Sequence, residues 1–220
     1  MRLLLATLCA AAAACALTAA PAAPATSCGS GGYAYAGLMA STPARGVFGV
    51  LQATELPRVR GGHVAAWVGV GGEGYGPGGS TVWLQAGISG FPDGSSELYY
   101  EVALPGQKPR YVKIRAVQAG ASIRVAVSSR PSLPGWWDVR VDGTSVSELI
   151  YLPGSEQGWE PIATAETWDG GTKLCNSFSF LFDSVRIASG SAWAPLKGSV
   201  LQDPGFRVKR SASGFLASSS

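Results

Sequence analysis

An all-β fold, either a sandwich of two sheets or a barrel, is what this sequence predicts, on three observations. Its 30 glycines and 14 prolines punctuate the chain at short intervals. Between these breakers lie segments rich in Val, Ile, Tyr, Trp and Thr whose apolar residues alternate with polar ones. Beyond the first residues, no window repeats its apolar positions at helical spacing, so many short strands joined by turns are expected to form two layers.

The N-terminus stands apart from this pattern. Arg2, an apolar run from Leu3 to Leu17 and small residues ending in Ala23-Pro24-Ala25 read as a secretory signal peptide over residues 1–25. The run is shorter than the roughly 20 residues that cross a bilayer, and Thr18, Pro21 and Pro24 soon follow. A lipoprotein reading through Cys15 is disfavoured because Ala12, Ala13 and Ala14 precede it without a branched apolar residue. Cleavage after Ala25 leaves about 195 residues, expected as one domain over 26–210 with a flexible tail over 211–220. The expected product is extracellular, monomeric and free of the membrane.

Strands are expected, in order, at Tyr33 to Ala40, Val47 to Leu56, His63 to Val70, Thr81 to Ile88 and Glu97 to Leu104. A hairpin follows, with Val112, Ile114 and Ala116 on one arm, Gln118-Ala119-Gly120 at the turn, and Ile123, Val125 and Val127 facing one way on the other arm. Trp137, Val139 and Val141 continue the alternation. Asp142-Gly143 then gives the strongest turn signal before Thr144 to Leu152. Strands at Ile162 to Trp168 and Phe178 to Ile187 complete the set. Gly71 to Gly79 reads as a loop and not as a nucleotide cradle, because no helical pattern follows for a phosphate to sit against.

Composition narrows the function classes. The chain carries 17 Lys and Arg against 14 Asp and Glu, and losing Arg2 with the leader lowers the net charge from +3 to +2. Basic residues such as Lys113, Arg115 and Arg124 are scattered singly along the chain, which argues against nucleic acid as a partner. One histidine, His63, and no Cys-x-x-Cys pair argue against a metal site, and no cofactor is expected. His63 begins a strand and has no Gly-x-Ser-x-Gly elbow beside it, so a structural role is expected for it. Cys28 and Cys175 survive cleavage; in an oxidising compartment they suggest one disulfide, with two free buried thiols as the alternative.

Several strands place reactive side chains together. Period two puts Glu97, Tyr99 and Glu101 on one face, opposite Leu98, Tyr100 and Val102. That row is either the lining of a polar cleft or the wet face of an ordinary strand. Trp83, Gln85 and Gly87 share a face, Trp67 stands beside small residues, and Glu166 shares its face with Thr164 and Trp168 within an otherwise uncharged segment.

Ala66-Trp67-Val68-Gly69-Val70, Leu84-Gln85-Ala86-Gly87, Tyr99-Tyr100-Glu101 and Ala165-Glu166 occur in the order and approximate spacing of the motifs of the glutamic peptidases, the eqolisins. Over Tyr35 to Ile187 the chain resembles a divergent, bacterial-type member of that family. The resemblance implies a concanavalin-like sandwich of two antiparallel sheets, with Gln85 and Glu166 matching the catalytic dyad. It also implies a polypeptide substrate cut in acid, contacted by Trp67, Glu97, Tyr99 and Glu101, and no cofactor. A carboxylate can take a proton from water attacking a peptide carbonyl, while an amide donates hydrogen bonds to the developing oxyanion. The chain departs from the family pattern at Gly71, where an Asp is usual, at Val102 and Ala103, where aromatics are usual, and after Glu166, where only Asp169 remains of an acidic stretch.

Two other readings compete. A noncatalytic module of the same fold would use Trp67, Trp83, Tyr99 and Trp168 as a platform for a polysaccharide or peptide. A glycoside hydrolase would use Glu97 and Glu101, whose Cα atoms are about 13 Å apart on an extended strand, against the roughly 5 to 9.5 Å between carboxyl groups that such chemistry uses. A secreted sandwich whose Gln85 and Glu166 are merely hydrogen-bonded is the plainest alternative.

Overall fold

The computed structural model describes residues 32–168, 175–190 and 192–219. The strands run in chain order as β1 (Tyr33–Met39), β2 (Gly46–Ala53), β3 (His63–Gly72), β4 (Val82–Gly90), β5 (Ser96–Ala103), β6 (Arg110–Ala116), β7 (Ser122–Arg130) and β8 (Leu133–Val141). They continue as β9 (Thr144–Ser145), β10 (Ile150–Tyr151), β11 (Pro161–Trp168), β12 (Ser179–Ser189), β13 (Ala192–Pro195), β14 (Ser199–Gln202), β15 (Phe206–Arg210) and β16 (Phe215–Ser219). A single 3-10 turn, Pro77–Gly79, interrupts them among the described residues.

These strands form two antiparallel sheets. The first has seven strands in the order β14-β1-β11-β3-β4-β5-β6, and the second has nine, with β10-β8-β7-β2-β12-β16-β15 as its path and β9 and β13 attached to β8 and β12. Alternation does what the sequence expects of it. Val64, Ala66, Val68 and Val70 of β3, and Leu98, Tyr100 and Val102 of β5, are buried in one core with Ile123, Val125 and Val127 of β7 and Trp137 and Val139 of β8. That core lies between the sheets, which makes the molecule a sandwich. Asp142 and Gly143 both take positive φ, 50° and 86°, and Val141 pairs directly with Thr144, as a two-residue hairpin requires.

Four expectations need correction. The arms expected as a hairpin around Gln118-Ala119-Gly120 do not pair: β6 is the edge of the first sheet beside β5, while β7 lies between β2 and β8 in the second, so the turn carries the chain from one sheet to the other. The tail expected over 211–220 holds a strand: Phe215–Ser219 is β16, paired with both β12 and β15. The small polar residues there hide two inward positions, Phe215 and Ala217, which are fully buried, and the Phe215 ring stacks on Phe182 at 4.4 Å. The segment from Thr144 to Leu152 gives two two-residue strands, β9 and β10, in place of one. Gly71 and Gly72 belong to β3, so the loop begins after them. The leader expected over residues 1–25 lies outside the described residues, as does Cys28, and with it the expected Cys28–Cys175 bridge.

Candidate functional site

The outer face of the seven-stranded sheet carries the candidate residues, because each alternates with a neighbour committed to the inter-sheet core. The pairing registers set them on a grid. One row reads Tyr35, Glu166, Ala65, Ser89 and Glu97 across β1, β11, β3, β4 and β5. The next reads Gly37, Thr164, Trp67, Gly87, Tyr99 and Lys113, and the third Met39, Ile162, Gly69, Gln85, Glu101 and Tyr111. Small residues make room for the large ones. A Cβ on Gly87 would lie 2.7 Å from the Cβ of Trp67, so only glycine lets the indole stand there.

This face is largely dry. Glu166 is 4 % exposed, Gln85 8 %, Glu97 9 % and Tyr99 1 %. Between the two prospects for the Glu97, Tyr99 and Glu101 row, burial therefore favours a polar lining over a wet outer face. Trp67, Ala65 and Tyr99 pack together, with Tyr35 and Ile162 against them.

Glu166 has two partners on β3. The Trp67 indole Nε1–H donates to its Oε2 at 2.8 Å, and His63 Nε2 lies 3.3 Å from its Oε1. The His63 ring stacks on Trp168 at 5.6 Å, and Trp168 meets Tyr33 at 6.4 Å, so an aromatic wall flanks the carboxylate. Gln85 has different partners: its Nε2–H groups donate to Tyr99 Oη at 3.3 Å and to Glu101 Oε2 at 3.4 Å. No hydrogen bond joins Gln85 to Glu166. On an ideal sheet their Cα atoms are offset by about 13 Å along the strands and about 9.6 Å across them, with Trp67 and Gly87 in between.

The Glu166 charge nonetheless reaches Glu101 and Tyr99, the hydrogen-bond partners of Gln85. Burial, followed by the nearby Glu166 charge, pushes the Glu101 carboxyl up from its ordinary range, with His63 opposing. Burial pushes the Tyr99 phenol well up, and the Glu166 and Glu101 charges add to that. Glu97 is committed elsewhere: Lys113 Nζ lies 2.5 Å from its Oε2, and Tyr111 Oη donates to its Oε1 at 2.8 Å. With its charge paired, Glu97 is a poor partner for Glu101 in two-carboxylate glycoside hydrolysis. It stands at the margin of the cluster, as a support for Tyr111 stacked on Tyr99 at 4.7 Å.

His63 and Tyr35 are the members that sequence reasoning did not assign to the site. Parity alone places His63 on the Trp67 face of β3. What was missing is the β11 register that sets Glu166 against Ala65, midway between them. Gly71, at the place where an Asp was anticipated, has φ +85°, and a Cβ there would lie 2.8 Å from the Trp159 ring. The Val82 carbonyl oxygen, 2.4 Å from that Cβ, and the positive φ bar a side chain there as well. Among the described residues no group of three or more His, Cys, Asp or Glu could hold a metal ion. No helix among them is long and apolar enough to cross a membrane.

No protein-family model and no curated protein matches the chain. Solved structures do. Scytalido-glutamic peptidase with a peptide-based transition state analog is 19 % identical with a TM-score of 0.56, and the match covers 86 % of this chain and 98 % of that one. SCP-B, a member of the eqolisin family of peptidases in complex with the tripeptide Ala-Ile-His, is 17 % identical with a TM-score of 0.52, covering 87 % and 99 %. At such identities the likeness is one of fold: this chain has the two-sheet architecture of those peptidases over nearly their whole length.

Proposed function

We propose that the chain is an exported endopeptidase of the glutamic type, working in acid on polypeptide substrates. The observation that carries the reading is Glu166, a buried carboxylate on the outer face of a peptidase-like sheet, oriented by the Trp67 indole. Gln85 stands two strands away in the same polar and aromatic cluster.

In this reading a water molecule lies on the open side of Glu166, which takes a proton as the water oxygen attacks the scissile carbonyl carbon. The amide N–H groups of Gln85 donate to the carbonyl oxygen as it gains charge. Their present bonds to Tyr99 and Glu101, at 3.3 and 3.4 Å, are long and easily exchanged for a stronger acceptor. The proton on Glu166 passes to the leaving amine when the C–N bond breaks, which restores the carboxylate. Substrate atoms would fill the gap between the dyad members. Trp67, Tyr99 and Glu101 line that gap, and Glu97 acts through Tyr111.

The test is cleavage of a denatured protein by the purified chain below neutral pH. Q85A and E166Q should each abolish it while the chain stays folded at the assay temperature. Cleavage that survives in both variants overturns the assignment. The second reading, a noncatalytic peptide- or polysaccharide-binding module, draws on Gly71, which stands where the family that the chain resembles usually has an Asp and where the backbone and the Val82 carbonyl leave no room for a side chain. Saturable binding with no cleavage at any pH would select it.

A further inference from the structure

The opposite side of the molecule, the outer face of the nine-stranded sheet, gathers arginines that are far apart in the sequence. One row across β8, β7, β2 and β12 reads Arg140, Ala126, Phe48 and Arg186, and the adjacent row brings Arg124 beside Val50. Trp193 of β13 folds back over this face. It is 42 % exposed, meets Phe48 edge-on at 6.3 Å, and lies above Gly46, where a Cβ would come 3.0 Å from its ring. A groove of about 770 Å³ runs from Trp193 past Arg45 and Arg130 to Arg140, and a second, of about 390 Å³, runs from Trp193 between Arg124 and Arg186.

Of the carboxylates on this face, two are paired with arginines and the third, Asp183 in the row of Val50 and Arg124, is hydrogen-bonded by serines. Asp138 is held between Arg130 at 2.8 Å and Arg140 at 3.1 Å, Asp142 faces Arg115 at 3.9 Å, and Asp183 is hydrogen-bonded by Ser213 and Ser184. Arg45, Arg124 and Arg186 have no acidic partner among the described residues, and Arg130 Nε is buried without an acceptor. Unpaired guanidiniums around an exposed indole select an anion that also has an apolar face. The guanidinium fork matches a carboxylate or sulfate with two parallel hydrogen bonds, and the ring offers a flat surface for stacking.

We propose that this face binds an anionic polysaccharide, a sugar chain bearing carboxylate or sulfate groups, with Arg124 and Arg186 pairing its charges and Trp193 stacking on a sugar ring. An acidic peptide is less suited, because the grooves cross the middle of the sheet, where the backbone groups are already paired and cannot add a strand. Single-stranded nucleic acid is less suited because it wants a run of exposed stacking rings, and the two grooves offer Trp193 with a half-buried Phe48 as its neighbour, the exposed Trp136 and Tyr151 lining neither. The site lies across the sandwich from Glu166 and does not depend on the reading given for that residue.

The experiment measures binding of the purified chain to immobilised heparin and polygalacturonate, with neutral dextran, polyglutamate and single-stranded DNA as comparisons. Retention on the two anionic glycans is expected, lost near 1 M salt, where the screening length falls to about 3 Å. R124A/R186A should weaken it about tenfold or more, equivalent to about 1.4 kcal/mol. W193A should weaken glycan binding while leaving the salt dependence in place. Both variants alter exposed side chains and should keep the parent's thermal midpoint. No retention, retention unchanged in R124A/R186A, or equal binding to DNA or polyglutamate overturns the proposal.

Discussion

The Trp67 indole nitrogen donates to Glu166 Oε2 at 2.8 Å across 99 residues of sequence, and it does so inside a face where both side chains are more than nine-tenths buried. Replacing Trp67 by Phe keeps a ring against Tyr99 and Ala65 but strips a buried acid of a donor. Hydrogen bonds to charged groups contribute about 1.5 to 3 kcal/mol. W67F should therefore lose about that much stability in urea unfolding at neutral pH, and peptide cleavage should fall with it. A variant as stable as its parent would mean that water replaces the indole without cost.

His63 approaches the other oxygen of the same carboxylate, at 3.3 Å, and stacks on Trp168. If the contact is energetic, H63A and E166Q are not additive. A double-mutant cycle on stability should give a coupling of about 0.5 kcal/mol or more, in the range found for residues in one network. A coupling indistinguishable from zero would reduce His63 to a stacking partner of Trp168.

Glu101 supplies a pH prediction whose sign follows from its environment. Burial and the Glu166 charge raise its folded value above the ordinary 4.5. The folded state thus holds the proton more tightly than the unfolded chain. The stability this contributes is fully present below 4.5 and is lost as pH rises through the raised folded value. E101Q, which cannot ionise, should be more stable than the parent at neutral pH, and the difference should close below 4.5. Unfolding midpoints at both pH values check it. A less stable E101Q at neutral pH would show that the Gln85 contact outweighs desolvation.

The C-terminal strand offers a test independent of any activity. Phe215 is fully buried and stacks on Phe182. F215A should cost about 3 to 5 kcal/mol, and removing residues 215–220 should expose the edge of β12 and unfold the second sheet. A shift under about 1 kcal/mol for F215A would return this segment to the status of a loose tail.

The strands, their faces and the Asp142-Gly143 hairpin were legible because each depends on neighbours within a few residues. Alternation is local, so the Leu98, Tyr100 and Val102 side of β5 could be told from the Glu97, Tyr99 and Glu101 side before any partner was known. Phe215 was missed because one inward aromatic and one Ala between serines is too short a pattern to distinguish from a polar tail. Three short strands after Ile187, β13 to β15, escaped for the same reason.

By itself the sequence determined an all-β chain and the sides of its strands, since period-two alternation against a core is written residue by residue. Tertiary structure alone decided the company each reactive group keeps. Whether Glu166 meets His63 and Trp67, whether Glu97 is spent on Lys113, and whether Arg124 and Arg186 share a face all depend on cross-strand register between segments tens of residues apart. Register is a collective outcome of packing two sheets around one core, and a shift of a single residue in β11 would turn Glu166 from the outer face into that core.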